Sequence, residues 1–116
     1  MSGTDPLHPT VFRIDRFDVP DAAVEEFLRR LRPTHDLLRT LPGRGQDLLL
    51  EGDRENGRTR LLTLVEWADE AAIAGAQHAV REMHAARGTT PAQIVEGLGI
   101  GVDLGVYRVR DRPAGG

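Results

Sequence analysis

The sequence has no cysteine and no lysine among its 116 residues. Without cysteine there is no disulfide, no thiolate nucleophile, no iron–sulfur cluster and no Cys-type zinc site, a usage that fits a reducing cytoplasm. Without lysine there is no Schiff-base or lysine-nucleophile chemistry. Every basic residue is Arg, and with abundant Ala and Gly this points to a GC-rich genome. Positive charge is in deficit: the formal net charge is −3, so no bulk field draws the chain to nucleic acid or anionic lipid. No run approaches the roughly 18 apolar residues of a membrane span. Met1–Pro9 carry Asp5 and no apolar stretch, so neither a signal nor a transit peptide is expected. These absences leave the expectation of one soluble, cytoplasmic domain with a modest core.

What is present is a single pattern of strands and helices, framed by tails expected to be disordered at 1–9 and 111–116. Thr10–Phe17 is β-branched and aromatic and predicts a strand. Val19-Pro20-Asp21 breaks it, with Asp21 as N-cap of a helix from about Ala22 to about Thr40. Val24, Phe27, Leu28, Leu31, His35 and Leu38 recur there at helical spacing, with Pro33 as a kink point, and Leu41-Pro42-Gly43 ends the run. Gln46–Gly52 and Thr59–Trp67 predict two strands joined by a hairpin at Asn56-Gly57. A second helix follows, about Glu70 to Arg87, stopped by Gly88. Pro91–Gly97 suits a short helical turn, and Asp103–Arg110 the last strand.

The order β-α-β-β-α-β predicts an α+β fold, the ferredoxin-like four-stranded antiparallel sheet with two helices on one face. Phe12 and Ile14 are expected to face the helices, and Arg13 and Asp15 a partner. Leu48-Leu49-Leu50 and Leu61–Val65 are apolar in both phases of the pleat, whereas a half-exposed strand alternates. Either these strands are simply central, or a second copy covers the open face as a two-fold homodimer, which is the expected arrangement.

This order, the Leu41-Pro42-Gly43 helix end, and Val65-Glu66-Trp67 before Asp69-Glu70-Ala71-Ala72 resemble the dimeric α/β-barrel superfamily and, within it, the antibiotic biosynthesis monooxygenase family. The similarity covers about Val11 to Val109. It implies a homodimeric enzyme of secondary metabolism that oxidises an anthrone-like or hydroquinone-like polyketide intermediate with O₂, without metal, flavin or heme. Such chemistry needs a dry cavity, a group that takes a proton, and donors for developing negative charge.

The resemblance places Trp67 in the cavity wall; the other reading is a large side chain closing the core edge. Family members often carry Asn four residues before this Trp and Tyr six after, where this chain has Thr63 and Ile73. Arg87 matches a site arginine of some oxygenases and would share the inner face of its helix with Ala72, Ala76, Val80 and Met83; equally, it is a cation meeting the last carbonyls of a helix. His35 lies on the apolar stripe of the first helix, as a satisfied core residue or as a base for a substrate proton. His35, Trp67 and Arg87 are thus the candidate catalytic residues. The implied substrate wall takes in Phe12, Ile14, Phe27, Leu31, Thr63, Ile73, Ala76, Val80, Met83, His84 and Tyr107.

His84 flanks the inner face of the second helix, roughly where a heme-degrading branch of the superfamily ligates iron. The companion Asn and second Trp of that branch are missing. His78 and His84 do not share a helix face, no HExxH occurs, and no metal site is expected. The many Ala of the second helix suit either a cavity for a flat ligand or close packing on the sheet. Gly43, Gly45, Gly97, Gly99 and Gly101 form no nucleotide loop. Two rival readings remain: a cyclase or isomerase using the same enolate chemistry without O₂, and a non-catalytic dimeric protein that binds a small hydrophobic ligand.

Overall fold

The computed structural model describes residues 9–111; the tails expected at either end lie outside the described residues but for Pro9 and Asp111. The elements are β1 (Val11–Pro20), a 3₁₀ turn (Asp21–Ala23), α1 (Val24–Leu38), β2 (Arg44–Glu55), β3 (Arg58–Trp67), α2 (Glu70–Arg87), α3 (Pro91–Leu98) and β4 (Gly101–Arg108). All strand pairs are antiparallel, in the order β2-β3-β1-β4. This is the ferredoxin-like α+β arrangement, with the expected short turn at Pro91 developed into a third helix.

Local chemistry accounts for most boundaries. Asn56 and Gly57 both adopt positive φ, 55° and 76°, the geometry of a two-residue hairpin whose twist matches its strands. Asp69 caps α2 by accepting from Ala72 N at 2.9 Å, and Gly88 ends it in the left-handed region. Thr90 and Gln93 form a reciprocal capping box that starts α3 on Pro91. Gly43 has φ 85°, and a Cβ there would lie 2.7 Å from the Ala72 Cβ. The Leu-Pro-Gly end of the first helix is thus also a point of close approach to α2. Asp21 does not cap α1 as expected. It lies inside the 3₁₀ turn, where its Oδ1 accepts from Thr59 Oγ1 at 2.6 Å. Thr59 is fully buried and needs a partner, which outweighs capping.

β3 sets the sheet's two faces. Thr59, Leu61, Thr63, Val65 and Trp67 are buried beneath the helices. The register pairs them with Val19, Phe17, Asp15, Arg13 and Val11 of β1. The core on this side is split. Val11, Val65, Trp67, Ile73 and Ala76 pack at one end, joined by Leu38, Leu41 and Ala72. Phe17, Val19, Val24, Phe27 and Leu61 pack at the other, closed by Ile94, Val95 and Leu98 of α3. The Phe17 and Phe27 rings meet at 4.9 Å and 60°, a tilted contact favoured by their quadrupoles. Each such side chain contributes roughly 1.5–3 kcal/mol by leaving water.

The phase of β1 is the reverse of the expected one. Arg13 and Asp15 lie on the helix side, and Phe12 and Ile14 on the open side, opposite Glu66 and Leu64. Arg13 Nε donates to Asp15 Oδ1 at 2.6 Å, and the two side chains keep 28% and 18% of their exposure. Neutralising each other at a partly open place lets them occupy the helix side. The open face collects Phe12, Ile14, Leu48, Leu50, Leu62 and Leu64, with Tyr107 beside Phe12. Leu48 and Leu50 are 40% and 46% exposed, so this chain alone leaves an apolar sheet face uncovered.

Candidate functional site

Polar groups occupy the gap between the two core clusters on the helix side. Thr63 is buried there at 4% exposure, paired in register with Asp15 of β1 and Leu49 of β2. Arg13 shares the next rung with Val65 and Asp47. A sheet that packs helices by burial alone would be apolar at its centre, so these residues ask for a functional explanation.

His35 enters the same region from α1. Its position on the apolar stripe turns it toward the sheet, and its Nδ1 lies 3.4 Å from Asp47 Oδ1. The two side chains are 17% and 8% exposed. Arg39, one turn further along the chain, brings Nε to 3.5 Å from Asp47 Oδ2. That is a charge contact without hydrogen-bond geometry, and Oδ2 is buried with no hydrogen-bond partner. Asp47 is a functional candidate that the sequence reading passed over. Its signal was there: a carboxylate in phase with Leu49, directly before the apolar run Leu48-Leu49-Leu50.

A carboxylate beside Nδ1 fixes the orientation of an imidazole and stabilises the imidazolium formed when the other ring nitrogen takes a proton. The separation is longer than a hydrogen bond, and such contacts tighten when substrate is bound.

The other expected site residues fall into distinct places. Trp67 is 2% exposed inside the first core cluster, with Ile73 and Ala76 against it. Phe27 is in the second cluster and Leu31 packs on it. Val80 is half-buried on α2. Met83, His84 and Arg87 line a groove of about 400 Å³ between α1, α2 and α3. Arg87 is exposed at the C-terminal end of α2, one turn beyond Met83. The Nδ1 of His84 is buried without a partner. His78 is exposed and stands 3.3 Å from Glu82. Phe12, Ile14 and Tyr107 lie on the opposite face of the sheet and do not join the helix-side group. The Tyr107 ring lies over Gly105, where a Cβ would come within 2.6 Å of it.

Among the described residues no three His, Asp or Glu side chains converge to hold a metal ion, and no helix is long and apolar enough to cross a membrane.

No protein-family model matches the sequence, and no curated protein matches it. Solved structures do match in shape. A candidate monooxygenase from Shewanella loihica PV-4 superposes with a TM-score of 0.65 at 22% identity, over 88% of this chain and 95% of that one. A dimeric ferredoxin-like protein from an uncultured marine organism gives 0.68 at 11% identity, over 90% and 99%. A variant of SnoaB, a cofactor-independent oxygenase from Streptomyces nogalater, gives 0.60 at 19% identity, over 91% and 98%. The chain therefore has the ferredoxin-like fold found in these oxygenases, the fold that the resemblance to antibiotic biosynthesis monooxygenases implied.

Proposed function

We propose that the protein is a homodimeric, cofactor-independent monooxygenase acting on an electron-rich aromatic compound of the anthrone or hydroquinone kind. The observation that carries the reading is the His35–Asp47 pair on the helix side of the sheet. It supplies what oxygen chemistry without a redox centre requires, a positioned base in a largely water-shielded place.

In this reading the free ring nitrogen of His35 removes a proton from the substrate's acidic CH₂, and Asp47 holds the imidazolium. The carbanion passes an electron to O₂, and the radical pair couples to a hydroperoxide. Loss of water leaves a carbonyl. One oxygen atom of O₂ enters the product, the other leaves as water, and the CH₂ loses both hydrogens. Arg13 is placed to face developing negative charge from the sheet, and Thr63 offers a hydroxyl. Trp67, enclosed in the core, acts in this account by packing rather than by touching substrate. The dimer is supported by the uncovered apolar face, and among structures of the same fold two are described as dimeric.

The test is oxygen uptake by metal-stripped protein with dithranol. Uptake above the spontaneous rate that survives chelation and collapses in His35→Gln supports the assignment. Isomerised or cyclised product without O₂ consumption would instead indicate the cyclase reading, with the same base.

A further inference from the structure

The groove between α1, α2 and α3 carries an arrangement that proton removal does not use. At about 400 Å³ it falls within the roughly 300–1,000 Å³ range of sites for small organic molecules. Its walls come from helix faces. Arg30, Pro33 and Thr34 follow each other at helical spacing on α1, and Met83, His84 and Arg87 do the same on α2.

The charge of this groove is one-sided. Arg29, Arg30 and Arg87 line it, with His84, and no carboxylate belongs to its wall. Glu26 pairs with both Arg29 and Arg30, its Oε2 2.7 Å from Arg30 Nε. One carboxylate against three guanidiniums leaves an excess of positive charge. The groove also has an apolar component in Pro33, Met83 and Ile94.

We infer that this groove seats an aromatic carboxylate. The flat apolar body lies against Pro33, Met83 and Ile94. The carboxylate takes charge-assisted hydrogen bonds from the Arg30 and Arg87 guanidiniums, and the His84 ring, part of the same wall, adds an N–H donor. A neutral aromatic would leave the guanidiniums uncompensated, and a small inorganic anion would leave the apolar surface wet. Occupancy of the groove stands apart from the oxygenase assignment. Only its consequence for that assignment, that the substrate is an aromatic acid, rests on it.

The experiment is calorimetric titration of the full-length protein with 1-hydroxy-2-naphthoate and, in parallel, with its uncharged methyl ester, followed by amide chemical-shift mapping. The acid is expected to bind at least about tenfold tighter than the ester, the worth of one charge-assisted contact. Arg87→Gln and His84→Gln should each weaken the acid by about tenfold and leave the ester unchanged. Arg32→Gln, an exposed α1 arginine outside the groove, should alter neither, which excludes a bulk-charge effect. Equal affinity for acid and ester, or shifts confined to the open sheet face, would overturn the inference. An acid that binds here while the metal-stripped protein fails to oxidise dithranol would remove the oxygenase reading and leave the seat standing. Oxygenation of neutral dithranol with no acid preference would do the reverse.

Discussion

His35 Nδ1 lies 3.4 Å from Asp47 Oδ1, linking the apolar stripe of α1 to the second strand across the helix–sheet interface. If this pair removes the substrate proton, His35→Ala lowers kcat by about a hundredfold or more, the usual contribution of a positioned general base. Asp47→Asn keeps the shape of the side chain and removes the charge that holds the imidazolium, so a loss of about tenfold or more is expected. Residues acting as one unit are not additive. The double variant should therefore be no slower than His35→Ala alone. Oxygen-electrode kinetics on the four proteins, with far-UV circular dichroism to verify folding, measures this. Additive losses would mean that the two side chains act separately.

Trp67 behaves as core. It is 2% exposed among Val11, Val65, Ile73 and Ala76. Trp67→Ala should cost about 3–5 kcal/mol, a large part of the roughly 5–15 kcal/mol that holds a domain folded. Urea unfolding followed by circular dichroism gives the figure, since the variant lacks the chain's only tryptophan. Trp67→Phe keeps most of the packing and should leave kcat within about threefold of the parent at temperatures where it stays folded. A large loss of kcat at unchanged stability would return Trp67 to the substrate wall.

How much of this was legible beforehand depends on the kind of signal. The element order, the Asn56-Gly57 hairpin and the limits of α2 were readable because turn and cap chemistry is local: positive φ at two hairpin residues, Asp69 before a helix, Gly88 after it. The phase of β1 was not. Val11, Phe12, Ile14 and Phe17 place apolar residues in both phases, and the charges of Arg13 and Asp15 argue for solvent until their mutual pairing is known. Only the register against β3, a long-range property, decides which phase the helices cover. His35 was legible as facing the sheet from its place on the stripe. Asp47 was not, because its meaning lies in a neighbour twelve residues earlier on another element. The Arg30–His84–Arg87 groove was hidden for the same reason: its two walls belong to different helices.

Gly43 offers a test of the passage between α1 and β2. Its φ is 85°, and an added Cβ would meet the Ala72 Cβ at 2.7 Å. Gly43→Ala therefore incurs two penalties, backbone strain in the left-handed region and a clash with α2, and should destabilise by more than about 1 kcal/mol. The second penalty is removable. Gly43→Ala combined with Ala72→Gly relieves the contact while retaining the strain. Its total loss should then fall short of the sum of the single losses, and equilibrium urea titration of the three variants resolves the difference. Simple additivity would show that α2 already shifts freely to accept the methyl group.

The open sheet face predicts an assembly. Leu48 and Leu50 of β2 stand opposite Leu64 and Leu62 of β3, next to Ile14 of β1. They are 40% and 46% exposed in the single chain, although nothing in the fold requires leucine at positions that face water. A contiguous apolar face of this kind marks an interface more often than a solvated surface, and a two-fold axis lets one patch cover itself. Leu50→Asp places a carboxylate on each side of that axis. It should convert the dimer to monomer at micromolar concentration, read by light scattering after size exclusion. The helix-side core does not contain Leu50, so secondary structure should be retained. A parent that is already monomeric would refute the sheet-to-sheet dimer outright. A Leu50→Asp protein that stays dimeric would place the interface elsewhere, with the exposed apolar residues of β4 (Val102, Leu104 and Val106) the next surface to probe.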